Sequence, residues 1–227
     1  MPESDSGKKT DGSREERPGL ISRNRIESLS DLIFGLTLSI GALILVTQPP
    51  TTPGDMSSRI IAFAFNFVVL VAVWLQYTII MSKLPVERGR VIFANLVLLL
   101  LIILMSYLIN EIHFVNPPLP IPANTPLDAF SSQLYALDLA AVSGIIAFFG
   151  YELTIEEKHF IPDAYMKKAR LARNVYAFFA VLFFVTALPQ LWDWSIGQVP
   201  LRFALWWVPL AGTIYIDALF FRRPRSG

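Results

Sequence analysis

The sequence predicts an all-α membrane protein of six transmembrane helices, with the N and C termini both in the cytoplasm. Hydrophobic residues make up 54% of the 227-residue chain and charged residues only 16%, which is typical of proteins that lie in lipid. Six apolar stretches meet or approach the roughly 20 residues that a helix needs to cross the hydrocarbon core. All but two of the 19 Lys and Arg residues fall on one side when these stretches alternate in direction.

The predicted spans are separated by segments that carry turn residues or charges. Prolines and Gly54 follow the first span, residues 83–90 are charged, and five prolines fall within residues 116–126. Residues 158–173 and 192–200 form the last two predicted connections. The predicted spans are residues 27–47, 59–81, 91–113, 130–153, 172–191 and 199–221.

The distribution of cations predicts the orientation, because cytoplasmic loops retain Lys and Arg whereas translocated loops lack them. The two exceptions are Arg59 and Arg202. Both lie at predicted helix starts, where a long side chain can reach the interface. An even number of spans with both termini inside explains this pattern.

The chain divides into one membrane domain and two short tails. Residues 1–22 are polar and contain no apolar signal-peptide segment, so they are predicted to form a disordered cytoplasmic tail. Residues 23–223 are predicted to form the transmembrane domain, and residues 224–227 a cytoplasmic tail. The sequence contains no cysteine, which excludes disulfides and thiolate metal sites.

Polar residues crowd the start of the first predicted helix. Helix capping is one explanation and accounts well for Glu27, but Asp31 lies a full turn deeper. Arg25 and Asp31 are separated by about 240° around a helix, so they do not pair easily within one straight helix. We therefore expect each of them to meet a partner on another helix or another subunit.

An apolar stripe follows on the same helix. Leu36, Ile40, Leu43 and Thr47 have the i, i+4, i+7, i+11 spacing of one helix face. Such a stripe is most often a packing surface or a lipid-facing surface. Arranged around a symmetry axis, it would instead form apolar rings that gate a pore by dewetting. The residues alone leave both interpretations open.

The start of the first helix resembles the signature of the transmembrane protein 175 family, which reads Arg, three variable residues, Phe, Ser, Asp. Arg25, Ser30 and Asp31 match this signature, and Leu29 stands where Phe is usual. The resemblance extends over roughly residues 25–107. It includes helix-two aromatics and the start of helix three, at Phe63, Phe67, Trp74 and Asn95.

The resemblance implies a function. Prokaryotic members of that family are single-repeat tetramers that conduct potassium, whereas animal members carry two repeats in a lysosomal dimer, and this chain is similar to the prokaryotic form. The expected protein is thus a passive, potassium-preferring homotetrameric channel in a prokaryotic plasma membrane, without a cofactor. Its expected partners are potassium ions, membrane lipid and its own copies.

The resemblance also implies which residues act. Helix one would line the pore, with a hydrophobic constriction at Leu36, Ile40 and Leu43, the stripe described above. Ser39 and Thr47 would be polar pore-lining residues. A polar network would comprise Arg25, Ser30, Asp31, Trp74, Tyr77 and Asn95.

The chain departs from the family pattern at two positions. The family commonly has His one turn after the helix-two Trp, where this chain has Tyr77, which does not titrate near neutral pH as His does. Ser106 lies in the region where the family has a proline near the end of helix three. Proton sensitivity through that network is therefore not expected.

An ion-coupled secondary transporter is the alternative function. Six polar residues fall within the predicted spans and offer a midplane site: Asn66, Gln76, Asn95, Asp138, Glu152 and Asp217. Transporters usually show discontinuous helices in related halves, and neither sign is evident.

Enzymatic activity, metal binding and nucleic-acid binding are not predicted. The chain has no hydrolase or metalloprotease motif. Its two histidines, His113 and His159, lie near membrane boundaries and far apart in sequence. The basic residues 167–173 are explained by membrane topology, with contacts to anionic lipid as a by-product.

Overall fold

Six α-helices form the structure, a computed structural model that describes residues 23–47, 50–84, 88–112, 126–156, 163–189, 194–196 and 199–221. The helices are α1 (Arg23–Thr47), α2 (Pro53–Met81), α3 (Gly89–Leu108), α4 (Pro126–Glu156), α5 (Asp163–Thr186) and α6 (Leu201–Phe221). A 3-10 turn at Ile109–Glu111 extends α3, and the two-residue strands β1 (Ser195–Ile196) and β2 (Val199–Pro200) pair antiparallel before α6.

The predicted all-α fold class is confirmed. In the described part of the chain, five helices, α1 to α5, are long and apolar enough to cross a membrane. The helix α6 occupies the sixth predicted span. The predicted tails, residues 1–22 and 224–227, lie outside the described residues.

The start of α5 corrects one predicted boundary. Residues 158–173 were expected to form a connection, but α5 begins at Asp163. Met166, Ala169 and Ala172 recur every three residues and are buried, whereas Lys167 is exposed. The first turns of α5 therefore form an amphipathic helix. The helix can begin before the apolar span because its backbone hydrogen bonds form whether or not its side chains are apolar.

The start of α2 shows how the sequence fixes a helix end. The Thr52 hydroxyl accepts a hydrogen bond from the Asp55 backbone N–H at 3.1 Å, and Pro53 occupies the first helical turn. The Asp55 carboxylate lies near the positive end of the helix dipole and forms an ion pair with Arg59 at 2.7 Å. Capping, proline and charge thus all favour the same boundary.

The helix α4 occupies the middle of the bundle. It packs against α2, α3 and α5, and its contact with α5 is the most extensive between any two described elements. On the other side of α2, the fully buried Trp206 ring of α6 lies 5.1 Å from the Tyr135 ring and 6.1 Å from the Phe65 ring. Its indole N–H donates to the Thr186 hydroxyl at 3.1 Å. Aromatic packing and one hydrogen bond therefore tie α6 to α2, α4 and α5.

Candidate functional site

The helix α1 has two different faces. One face is buried against α2 and α3 and includes Ile26, Ser30, Phe34, Thr37 and Gly41. The opposite face is exposed in the single chain. Because the buried positions recur every three or four residues, one continuous stripe of α1 holds the helix to the bundle.

Two side-chain hydrogen bonds join the start of α1 to α2. The Ser30 hydroxyl lies 2.7 Å from the Tyr77 hydroxyl, and it also donates to the Ile26 carbonyl at 2.9 Å. The Trp74 indole N–H donates to the Asp31 carboxylate at 2.9 Å. The buried Phe34 ring packs on the Tyr77 ring, with the centroids 5.9 Å apart. The two helices are antiparallel here, and these contacts fix the register between them.

The remaining members of the expected polar network lie at different positions. Asn95 of α3 is buried near the Tyr77 hydroxyl, and its amide oxygen has no hydrogen-bond partner in the described structure. Arg25 is exposed at the start of α1, and the described residues contain no ion pair between Arg25 and Asp31. The structure therefore brings together Ser30, Asp31, Trp74, Tyr77 and Asn95, with Arg25 beside them on the helix surface.

A cleft opens next to the Asp31–Trp74 hydrogen bond. It has a volume of about 250 Å³ and lies between α1 and α2. Its lining is mostly apolar, with one carboxylate, and consists of Asp31, Phe34, Gly35, Leu38, Val71 and Trp74. Gly35 contributes to the cleft because a Cβ at this position would meet no atom within 4 Å.

The expected constriction residues lie on the exposed face of α1. Leu36, Ile40 and Leu43 are 54%, 41% and 58% exposed. Ser39 and Thr47 are exposed as well, and each hydroxyl donates to a backbone carbonyl one turn earlier, at 2.9 and 3.2 Å. A hydroxyl that donates its hydrogen can also accept a hydrogen bond or coordinate a cation through its oxygen.

Glu152 of α4, a candidate for a midplane site in the transporter hypothesis, lies at a different place. Its buried carboxylate forms an ion pair with Arg90 at 2.7 Å, and Arg88 approaches it at 3.5 Å. Both arginines lie at the start of α3. Glu152 is therefore part of a charged cluster at the end of the bundle where α2 ends and α3 begins. The charges at the start of α3 were the sequence signal for this cluster.

A second buried polar group connects three helices. The Asn66 amide of α2 donates to the Ser106 hydroxyl of α3 at 3.1 Å and accepts from the Tyr135 hydroxyl of α4 at 3.2 Å. Asn66 is thus engaged on both sides of its amide group. The side chain of Asp217, another transporter candidate, lies outside the described residues.

Asp138 of α4 differs from these groups. It is 4% exposed, and neither of its carboxylate oxygens has a hydrogen-bond partner among the residues that the structure describes. In the same part of the chain, no cluster of three or more His, Cys, Asp or Glu residues is suited to a metal ion. His113 and His159 lie outside the described residues.

Comparison with known proteins points to one family. Residues 25–105 match the family model described as the endosomal/lysosomal potassium channel TMEM175. This segment covers α1 from Arg25, all of α2 and most of α3, the helices that carry the polar pairs and the exposed stripe. A comparison with curated proteins found no match.

A solved structure shares the fold of this chain. The chain is similar to a solved structure of a lysosomal potassium-selective channel TMEM175 homolog from Chamaesiphon minutus, with a TM-score of 0.57 and 16% sequence identity. The similarity covers 87% of this chain and 97% of the other. The chain is thus a membrane protein whose first three helices match the TMEM175 family model and whose fold, over most of its length, is similar to that of a solved TMEM175 homolog.

Proposed function

We propose that this protein is a passive, potassium-preferring channel that assembles as a homotetramer in a prokaryotic plasma membrane, with both termini in the cytoplasm. Four copies of α1 would surround the pore, and Leu36, Ile40 and Leu43 would form its constriction. The matched family and the similar solved structure are both described as potassium channels, which supports the choice of ion.

The observation that carries the proposal is the poor burial of α1. Only 24% of its apolar window is buried within the single chain, whereas the windows of α2 to α5 are 33–50% buried. The exposed face of α1 combines large apolar residues with Ser28, Asp31 and Ser39. Polar groups are costly against lipid, so this face suits a water-filled, protein-enclosed surface better than a lipid-facing one.

The constriction would control conduction through size and desolvation. An apolar ring opposes the passage of a hydrated ion because the ring offers no replacement for the ion's water ligands. Ser39 and Thr47, which lie on the same exposed face, would supply hydroxyl oxygens on either side of Leu43. This arrangement predicts only a modest preference for potassium over sodium.

Potassium flux tests the constriction directly. Purified protein in liposomes under a potassium gradient should conduct, and the triple variant Leu36→Ala, Ile40→Ala, Leu43→Ala should conduct several-fold faster because the ring is wider. The matched control is Leu96→Ala with Leu100→Ala, which removes leucines of similar exposure from the outer face of α3. This control should conduct like the wild type.

Three results would contradict the proposal. The first is a potassium flux that is absent, or that the α1 triple variant leaves unchanged. The second is potassium movement in a fixed ratio to protons, which would favour the ion-coupled transporter instead. A monomeric mass in detergent would also exclude a pore built from several copies of α1.

A further inference from the structure

Two acidic residues of α4 are equally buried but have opposite surroundings. Glu152 and Asp138 are each 4% exposed. The Glu152 carboxylate has Arg90 at 2.7 Å and Arg88 at 3.5 Å, whereas both Asp138 oxygens lack a hydrogen-bond partner among the described residues. A buried carboxylate without a partner is costly in its charged form, because no counter-charge or donor replaces its water.

The position of Asp138 along α4 makes this cost larger. Asp138 lies about 21 Å along the helix axis from Glu152, at 1.5 Å per residue. It falls inside the apolar span Phe130–Ile155. The three-helix chain of Asn66, Ser106 and Tyr135 lies one turn away, but its hydrogen bonds do not include Asp138.

No charged side chain in the described structure offsets the burial of Asp138. On the elements packed against α4, the charged groups lie mainly near helix ends. The charged or titratable groups are Asp55, Arg59 and Tyr77 on α2; Arg88, Arg90 and Tyr107 on α3; Glu111 in the 3-10 turn; Lys167, Lys168, Arg170, Arg173 and Tyr176 on α5; and the buried Arg202 at the start of α6. Tyr135 is the titratable neighbour of Asp138 on α4 itself.

We propose that Asp138 is a proton-binding site inside the membrane domain, with a neutral carboxyl group in the folded protein. The site is independent of the channel proposal. It couples pH to folding, because Asp138 loses its proton to water when the protein unfolds at neutral pH. The folded state then holds one proton more than the unfolded state, so stability falls as pH rises.

Infrared spectroscopy of the wild-type protein in bilayers at neutral pH tests the site. Exposed carboxyl groups are ionised under these conditions, so a carboxylic-acid C=O band reports a protonated buried group. We expect this band in the wild type and its loss in Asp138→Asn, which keeps the shape and neutrality of the protonated side chain. If the wild type lacked this band, the proposal would be overturned, and no variant would be needed for that conclusion. Retention of the band in Asp138→Asn would also overturn it.

Thermal unfolding in detergent over a range of pH gives a second measurement. One proton changes the folding equilibrium by up to about ten-fold per pH unit, and this contribution should be lost in Asp138→Asn. The matched control is Glu152→Gln, which removes an equally buried carboxylate that has arginine partners. It should lower stability at neutral pH and keep the contribution of Asp138. An identical pH dependence in Asp138→Asn and the wild type would contradict the proposal.

Discussion

Individual ion pairs in this protein contribute differently to the free energy of unfolding because their surroundings differ. The Arg59–Asp55 pair lies one turn apart on α2 and is partly exposed, so solvent screens it. The Arg90–Glu152 pair has the same distance of 2.7 Å, but its carboxylate is buried, although the Arg90 side chain is 58% exposed. Removing Arg90 takes a counter-charge from a buried carboxylate, which costs more than losing a pair whose two partners are both partly exposed.

This difference gives a prediction for two arginines. Arg90→Gln should lower the free energy of unfolding by about 1.5 kcal/mol, because Glu152 is buried whereas the Arg90 side chain is half-exposed and Arg88 remains as a weaker partner. Arg59→Gln should lower it by about 0.5 kcal/mol or less. Thermal unfolding in detergent at neutral pH compares the two. Equal destabilisation would show that burial of Glu152 does not determine the strength of the pair.

The sequence predicted residue types better than residue partners. The spacing of Arg25 and Asp31 predicted that they do not pair easily within α1, and the resemblance named Trp74 and Tyr77 as members of a polar network. The pairing of Ser30 with Tyr77 and of Asp31 with Trp74 depends on the register of two antiparallel helices. Glu152 was placed with the midplane candidates because its arginine partners belong to a helix far away in sequence.

At the scale of helices, hydropathy located every element but not every end. The apolar segment of α5 was predicted from residue 172, whereas the helix begins at Asp163. Hydropathy identifies the segment that can cross the lipid, but not the ends of the helix, because a helix continues beyond the membrane wherever its residues favour it. The close approach of α5 and α6 at Gly212 had no sequence signal, because it depends on one glycine facing an aromatic ring of another helix.

That contact predicts the effect of one methyl group. A Cβ at Gly212 would lie 2.5 Å from Cζ of Phe179, whose ring is buried. Gly212→Ala should therefore force α5 and α6 apart and lower the free energy of unfolding by about 1–3 kcal/mol.

The matched control is Gly144→Ala on α4. A Cβ there would meet no atom within 4 Å, so this variant should not lose stability, and alanine favours the helix by about 0.5–1 kcal/mol. Thermal unfolding of both variants in detergent measures the difference. A Gly212→Ala protein as stable as the Gly144→Ala protein would contradict the close approach of α5 and α6.

For the whole molecule, the sequence predicted an all-α fold of six helices and a resemblance to one family, but the arrangement of copies follows from neither. The hydropathy pattern describes how one chain lies in lipid, whereas assembly depends on the shape of a surface. In the single chain, the outer face of α1 is that surface. The absence of cysteine from the sequence makes its contacts accessible to a simple chemical test.

Single cysteines should distinguish a central α1 from a peripheral one. Leu43→Cys places one thiol on the exposed face of α1, and in the proposed tetramer, oxidation in the membrane should give covalent dimers. Leu100→Cys, on the exposed outer face of α3, should remain monomeric. Denaturing electrophoresis without reductant measures the covalent dimer formed by each variant. Equal cross-linking at the two positions would contradict a pore lined by α1.

The outer face of α5 also locates the membrane boundary. It changes from Lys167 and Arg170 to Phe178 and Val181, with Asn174 between them. At this level, α5 meets α4, because a Cβ on Gly150 would lie 3.1 Å from Cβ of Arg173. Asp138 then lies about 18 Å from this level along α4, and about 12 Å from Phe130, where the apolar span of α4 begins. A proton on the proposed site would have to cross one of these depths to reach water, so its exchange for deuterium should be slow and should report the rare openings of the helix bundle.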